Sequence, residues 1–483
     1  VDVTRTGIAL RPSSSRVVIR PFEVANDGRV ERIIARVSAL SEDEVAGLLE
    51  KVMGEFRGRH QRTREFFLQR FERVRRHLLT DQPVSESRRL LIGSYFTSEY
   101  ALESAALFNP SMVWHPDQSG LADGVRRFVL SLRATGEGHI SSITFRTGTI
   151  DAANRIRIDE PTRFVVAPEL VPNALYEKPL FARKLNELGT DGVFTELVMA
   201  ALGETFTLDD LDRTVRNVLR HNRGRQLEFE PLAQTMLVLA RANYEIRFDP
   251  ALNVSERVIF PSSPTETNGI EDARFVRFTH PDGRVHYYAT YTAYDGRVTF
   301  PQMLDTEDFL HFRVSTLNGP EVKNKGFALF PRMVNGQYAM LSRQDNENVY
   351  LMYSEMPHFW YSKELIAKPT YPWEFVQLGN CGSPIETAAG WLVLTHGVGP
   401  MRKYAMGAFL LDLADPARVI GRLAAPLLEP NASEREGYVP NVVYSCGGAL
   451  HGRELVIPYA MSDYASTFAT VPLDDVLNAM TRA

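Results

Sequence analysis

GRVHYYATYTAYDG, residues 283–296, opens on a glycine, runs through tyrosine, threonine and valine, and closes on Asp-Gly. A β-branched and aromatic run bounded by turn residues reads as a strand. The same grammar returns in GQYAMLSRQDNENVYLMYS (336–354), GWLVLTHGVG (390–399) and GRELVIPYAMSD (452–463). VRRFVLSLRATGEGHIS (125–141) makes a fifth copy, set apart by a helical stretch. The later copies recur about every 50–60 residues, close to the period of propeller blades. A small antiparallel sheet cannot bury both of its faces alone, so such units stack around an axis. The sequence therefore predicts an all-β fold, a five-bladed β-propeller, with a β-sandwich as the competing architecture.

Around these strands the chain changes character twice. SSSRVVIRPF (13–22) reads as an edge strand. Ser41 with Glu44 forms a capping box ahead of apolar residues at helical spacing, Val45, Leu48, Leu49, Val52, Met53 and Phe56. TREFFLQRFERVRRHLL (63–79) predicts a second helix with a basic, solvated face, and TSEYALESAALF (97–108) a third. Residues about 175–245 return to helix, with TLDDLDRTVRNVLRHN (207–222) the clearest case. The expected division is a strand and helical extension over 1–104, then a propeller over 105–483 carrying the insert. The extension is expected to mediate a homo-oligomer or to wall off part of the site.

The composition is that of a globular chain: 483 residues, 44% hydrophobic, 23% charged. A net charge of −5 argues against nucleic acid as a partner. There is no signal-peptide pattern and no apolar run of membrane-spanning length. Cys381 and Cys446 are the only cysteines, too few for a disulfide framework, and a cytoplasmic location is expected. The histidines show no metal-ligand spacing, so no metal is expected.

Polar residues cluster where the repeats begin and end. TETNGIEDARFVRF (265–278) places Glu271, Asp272 and Arg274 at a strand entrance, with Tyr294 and Asp295 after the next strand. Asn109 and Arg133 flank the first copy; Lys325 and Arg343 belong to the third. Glu386, His396, Arg402, Lys403 and Tyr404 belong to the fourth, and Glu436, Asn441 and Asp463 to the last. Carboxylates, arginines and tyrosines gathered at one mouth suit sugar hydroxyls, which need paired polar contacts and a stacking face. Asn109, Arg133, Glu271, Arg274, Tyr294, Asp295, Tyr404 and Asp463 are the expected sugar-binding set. Trp391 lies inside its strand and reads as core.

NGIEDARF, YTAYDG, FALFPRMVNGQYAMLSR, GSPIETAAGWLVLTHGV, AFLLDLADPARVIGR and EREGYVPNVVYSCG follow one another in an order that resembles glycoside hydrolase family 130, the β-mannoside phosphorylases and related mannosidases. The resemblance covers about residues 105–475 and implies a five-bladed propeller. It implies that Asp272 is the catalytic acid of a G-I-E-D-P-R motif, with Ala273 in place of proline. It also implies inverting attack by inorganic phosphate, the sole co-substrate, on a β-manno-oligosaccharide or mannosyl glycoside, giving α-mannose 1-phosphate. A neutral Asp272, raised by burial or by Glu271, is required by that scheme. Lys325, Arg343 and His396 match the family's phosphate-binding positions, and Arg402 and Lys403 add positive charge nearby. The family's P-I-K-T is PIET here, so Glu386 stands where a phosphate-contacting lysine is usual. Two alternatives follow: an inverting β-mannosidase with Glu386 as base for water, and a non-catalytic sugar-binding propeller.

Overall fold

The computed structural model describes residues 1–80, 82–172 and 174–482. Among the described residues, five antiparallel sheets of four to six strands carry most of the structure, and two further sheets have two strands each. The first large sheet contains Ala106–Trp114, Arg126–Thr135 and Ser141–Ile150; the second contains Ile270–Thr279, Val285–Tyr294, Thr299–Thr306 and His311–Thr316. Lys325–Leu329, Tyr338–Arg343, Val349–Ser354 and Glu364–Ala367 form the third. Gln377–Asn380, Gly390–Val398 and Tyr404–Leu411 belong to the fourth, and Glu454–Met461 and Ala465–Pro472 to the fifth. Alternating apolar residues from neighbouring sheets fill the layers between them, such as Phe145 and Val129 against Phe275, Tyr287 and Phe309. Trp391 is fully buried in such a layer.

The expectation of an all-β, five-bladed propeller is corrected here. Helical segments make up 26% of the chain, and the sheets are not closed into a propeller. Two groups of helices have apolar cores of their own. In the N-terminal arm, Val30, Ile34, Val45, Phe71 and Leu91 pack together from Asp27–Ser38, Glu42–Glu55, Thr63–Val74 and Glu86–Tyr95. In the insert, Phe181, Phe194, Leu211, Phe229 and Met236 do the same. The sheets are also unequal, because distant segments extend them. Tyr244–Arg247 and Glu169–Leu170 widen the second sheet, and Thr4–Arg5 pairs with Thr470 and Ala469 in the fifth. Repetition in sequence does not make identical units when different neighbours are added at each edge.

Local sequence signals hold at two helix starts and fail at one strand. Ser41 caps Glu42–Glu55 with the reciprocal Glu44 contact, and Thr207 caps Leu208–His221. TSEYALESAALF is not a helix. Thr97–Glu103 is a strand paired with Ser13–Pro21, and Ala106 begins the next. Buried Tyr100 and Leu102 flank the less buried Ala101, and the partner strand decides the conformation. Among the described residues no helix is long and apolar enough to cross a membrane.

One device recurs ahead of the strands that lead to the site. A short 3-10 turn carries a buried glutamate whose carboxylate accepts backbone N–H groups at the start of the turn. Glu266 accepts from Ser262 and Ser263 and from the hydroxyls of Tyr244 and Tyr291. Glu374 accepts from Thr370, Tyr371 and Arg422; Glu434 accepts from Asn431, Arg5 and Tyr459. Each ties an irregular loop to a sheet at a fixed height.

Candidate functional site

Three strands approach one point, and each is interrupted there by a bulge. The ladder slips between Phe108 and Ser111, between Glu271 and Arg274, and between Lys325 and Ala328. A bulge adds an unpaired residue and re-aims its side chain. The bulged residues Asn109 and Asp272 have φ of 49° and 51°, and Gly326 has φ of 95°. Asn and Asp tolerate this left-handed region better than most residues, and glycine enters it freely. Arg402 and Asp463, from turns on two other sheets, also have positive φ, 54° and 50°. Such strain persists only where the surroundings over-determine it, and it gathers at functional sites.

These turns converge on a cavity of about 150 Å³ lined by Asn109, Arg133, Asp272, Lys325, Arg343, His396, Arg402, Tyr404, Val439, Val442, Tyr444 and Asp463. Asn109 Nδ2 donates to Asp272 Oδ1 at 2.6 Å, and Arg133 Nη1 lies 3.3 Å from the same oxygen. Arg133 Nη2 donates to Glu271 at 2.9 Å, and Lys325 Nζ is 3.7 Å from Glu271. Lys325 and Arg343 stand directly opposite each other across a β-ladder. Arg343 Nη1 donates to His396 Nε2 at 2.8 Å, and Tyr404 stacks on the other side of the imidazole with ring centres 5.8 Å apart. Behind them, Arg274 Nη2 donates to the Tyr444 hydroxyl at 2.6 Å. Asn109 Oδ1 and the Nε atoms of Arg133, Arg274 and Arg343 are buried and have no hydrogen-bond partner among the described residues. Unsatisfied buried polar atoms in such number are unusual and point to a polar ligand.

The charges divide the cavity. Burial works to raise the Asp272 carboxyl, but Arg133, Arg274 and Lys325, with the Asn109 hydrogen bond, outweigh it and hold Asp272 below the usual carboxylate range. This corrects the expected neutral Asp272: before any ligand arrives it is ionised. Burial and the neighbouring Asp272 charge push Asp463 up to about 6, against the pull of Arg133, Arg402 and Lys325. Burial, with Arg343, Arg274 and Lys325 alongside, drives His396 well below its ordinary value, so the imidazole is neutral. Because its Nε2 accepts from a guanidinium, its proton resides on Nδ1. His396 therefore positions Arg343 and does not offer that nitrogen to a phosphate.

Not every expected residue is here. Glu386 lies outside the cavity, half-exposed, and its carboxylate is gripped by Arg332 at 2.7 Å. The substitution that suggested a base for water is a surface ion pair. Lys403 points away to Glu429 at 2.6 Å. Asp295 folds onto its own turn, accepting from the N–H groups of Arg297 and Val298, and neither it nor Tyr294 lines the cavity. Glu271 and Arg274 stand just behind the lining as partners of Arg133 and Tyr444. Tyr444, Val439 and Val442 were not singled out from sequence. All three lie in EREGYVPNVVYSCG, where the apolar run around Val442 and Val443 reads as core. Among the described residues no group of His, Cys, Asp and Glu is arranged to hold a metal ion.

A small cavity with four cationic side chains, two carboxylates and an aromatic wall is built for a polyhydroxylated ligand together with an oxyanion. That places the protein among carbohydrate-active proteins. A family model described as beta-1,4-mannooligosaccharide phosphorylase matches residues 234–482, more than half of the chain, and the chain belongs to glycoside hydrolase family 130. A 1,2-beta-oligomannan phosphorylase of Thermoanaerobacter sp. is 32% identical over 273 residues, 54% of this chain and 88% of that protein. A beta-1,2-mannobiose phosphorylase of the same organism is 33% identical over 234 residues, 46% of this chain and 70% of that protein. The solved structure of a beta-1,2-mannobiose phosphorylase from Listeria innocua, in complex with beta-1,2-mannobiose, gives a TM-score of 0.48 at 17% identity, covering 79% of this chain and 92% of that chain.

Proposed function

We propose that the protein cleaves β-mannosides by phosphorolysis with inversion, releasing α-mannose 1-phosphate. The observation that carries this reading is the convergence of Lys325, Arg343 and Arg402 with Asp272 and Asp463 on one cavity. The cations supply the field for a phosphate dianion, and Arg343 presents a planar fork suited to two of its oxygens. Arg343 is held in place by His396, and its backbone pairs with that of Lys325 across the ladder. Phosphate is already a nucleophile, so no protein base is needed on its side of the sugar. The carboxylate side holds the mannosyl unit, with Asn109 and Arg133 orienting Asp272. Phosphate on Lys325 neutralises part of the field that keeps Asp272 ionised, so its arrival raises the carboxyl toward the protonated form.

Family membership, with relatives named as phosphorylases, supports the same reaction. The hydrolytic alternative with Glu386 as base draws no support from the geometry, because Arg332 holds that carboxylate outside the cavity. The test is an assay of purified protein on β-1,2- and β-1,4-mannobiose with and without phosphate. Mannose 1-phosphate forming only when phosphate is present is the expected result. Release of free mannose regardless of phosphate would overturn the reading.

A further inference from the structure

A second cavity, of about 490 Å³, lies where the helical insert meets the second sheet. Among the described residues it shares no lining with the cavity around Asp272. The insert helix Lys178–Glu187 supplies Leu180, Phe181 and Lys184 to its wall, and the chain beyond Val349–Ser354 supplies His358 and Phe359. Asn243, just ahead of Tyr244–Arg247, ties these pieces together. Its Nδ2 donates to the Leu239 carbonyl at 2.7 Å, and its Oδ1 accepts from Lys184 Nζ at 2.5 Å and from the Thr316 N–H at 3.1 Å. Asn318 Nδ2 then donates to the carbonyls of Thr316 and His358, at 2.8 and 3.2 Å. One chain of hydrogen bonds thus runs from Lys184 to the backbone of His358.

This cavity holds a cation that the protein does not neutralise. Lys184 is nine-tenths buried, and its one hydrogen-bond partner among the described residues is the neutral Asn243 amide. A buried lysine ordinarily has a carboxylate partner. The carboxylates nearby turn elsewhere. Glu187 accepts from the Tyr361 hydroxyl and lies 3.9 Å from Arg183. Glu245 is 2.9 Å from His311 and 3.4 Å from Arg313. A second group is also unserved: His358 Nε2 is buried and has no hydrogen-bond partner among the described residues. Burial and the Lys184 charge lower this imidazole to about 4, so it is neutral and can donate one N–H. Buried polar groups without partners call for an explanation, and here both line the same cavity.

We propose that this cavity binds a small organic acid, whose carboxylate pairs with Lys184 and whose apolar body lies against Leu180, Phe181 and Phe359. The volume is that of a small-molecule site, largely apolar with a few polar groups that fix orientation. A singly charged head suits it better than phosphate. A phosphate dianion asks for several cations, whereas Arg313, the other cation in the lining, is more than half exposed and shared with Glu245. Lys184 then has a clear role. Alone it is a buried charge that costs stability; with a carboxylate beside it the charge is compensated.

The test is titration calorimetry on the full chain, with 4-phenylbutyrate and octanoate as probes and 4-phenylbutanol as the uncharged control. Both acids are expected to bind, and the alcohol at least tenfold more weakly. Lys184→Met removes an uncompensated buried charge, so the fold is retained, and it should abolish the preference for the acids. A second reading separates pairing with the amine from simple apolar binding. Burial holds the free amine at about 7. At about pH 8 a carboxylate that pairs with it must draw in a proton, up to one per molecule bound. Titrations in two buffers of different ionisation heat measure that uptake, which should be absent in Lys184→Met. No binding of either acid at millimolar concentration overturns the proposal. So does equal binding of the alcohol, acid binding that survives Lys184→Met, or binding without proton uptake. None of these readings depends on turnover of β-mannosides, so the activity assay and this experiment fail separately.

Discussion

Arg343 and His396 are joined by a 2.8 Å hydrogen bond in which the guanidinium donates to a neutral imidazole. The pair survives because a glycine lies opposite. Gly379 is the cross-strand partner of His396, and a Cβ there would stand 2.4 Å from His396 Cε1 and 3.1 Å from Arg343 Cδ. Both side chains are buried and have little room to yield. Gly379→Ala should therefore swing Arg343 off its aim, raising the KM for phosphate by on the order of tenfold or more. Kinetics with phosphate as the varied substrate check this, with circular dichroism confirming that the fold persists.

Replacing Asp272 separates charge from shape. Asp272→Asn keeps the hydrogen-bonding outline beside Asn109 and Arg133 but removes one negative charge from a cluster of cations. Turnover of β-mannobiose is expected to fall by at least about 10²–10⁴. Phosphate should bind more tightly, by several-fold, because a repelling carboxylate has gone. Titration calorimetry with phosphate reads the second effect independently of activity; unchanged or weaker affinity would contradict the charge division described above.

Glu386→Lys tests the surface location of that residue. The substitution sets a lysine against Arg332, which now grips the carboxylate through two nitrogens. An exposed pair of this kind is worth about 0–1 kcal/mol, so the expected outcome is a small drop in Tm. The KM for phosphate should be unchanged.

Glu266 has no exposure and anchors the loop that delivers Glu271 and Asp272. Its carboxylate takes two backbone N–H groups and two tyrosine hydroxyls. Glu266→Gln turns an all-acceptor group into one with its own donors, so at least one partner is left facing an N–H. The expected loss is about 1–3 kcal/mol of stability, read by chemical denaturation. A fall in kcat should accompany it, since the Asp272 bulge loses its support.

A buried lysine gives stability a pH dependence at the alkaline side. Lys184 donates to Asn243 Oδ1 at 2.5 Å, and burial lowers its amine to about 7. Free lysine titrates near 10.4. Between those values the unfolded chain binds a proton that the folded chain does not, so stability rises with pH from about 7 toward 10. Below about 7 both states are protonated and the penalty is fully present. Lys184→Met should flatten this rise and stabilise the protein at pH 7, by at most about 5 kcal/mol. Denaturation curves at pH 7 and pH 9.5 measure the difference.

The strand repeats could be read because tyrosine and valine alternate between glycine turns. Their arrangement could not, since it depends on which distant segments dock at each edge. Tyr244–Arg247 joins the second sheet only after an insert with its own core. TSEYALESAALF has helical composition, yet Thr97–Glu103 is extended because it pairs with Ser13–Pro21. The gathering of Arg133, Asp272, Lys325 and Arg343 was legible, because each sits near the start or end of a strand, whereas Asn109 sits at a bulge inside Ala106–Trp114. Glu386 has the same kind of position, yet its side chain faces out of the cavity toward Arg332. Sequence located the strand end but not the direction of the side chain. The neutral state of His396 and the ionised state of Asp272 were hidden too, since both depend on neighbours more than fifty residues away.

The left-handed backbone at Asn109, Asp272, Arg402 and Asp463 has a consequence for mutational scanning. A library at these codons samples main-chain energy together with chemistry, and valine, isoleucine or threonine will score as dead for steric reasons alone. At Asp272, Arg402 and Asp463 asparagine and glycine are the informative replacements, because they alter the functional group while leaving the turn relaxed. A profile that tolerates glycine but not asparagine would mean the side chain is an obstruction, whereas the reverse order would mark a residue chosen for what it presents to the sugar.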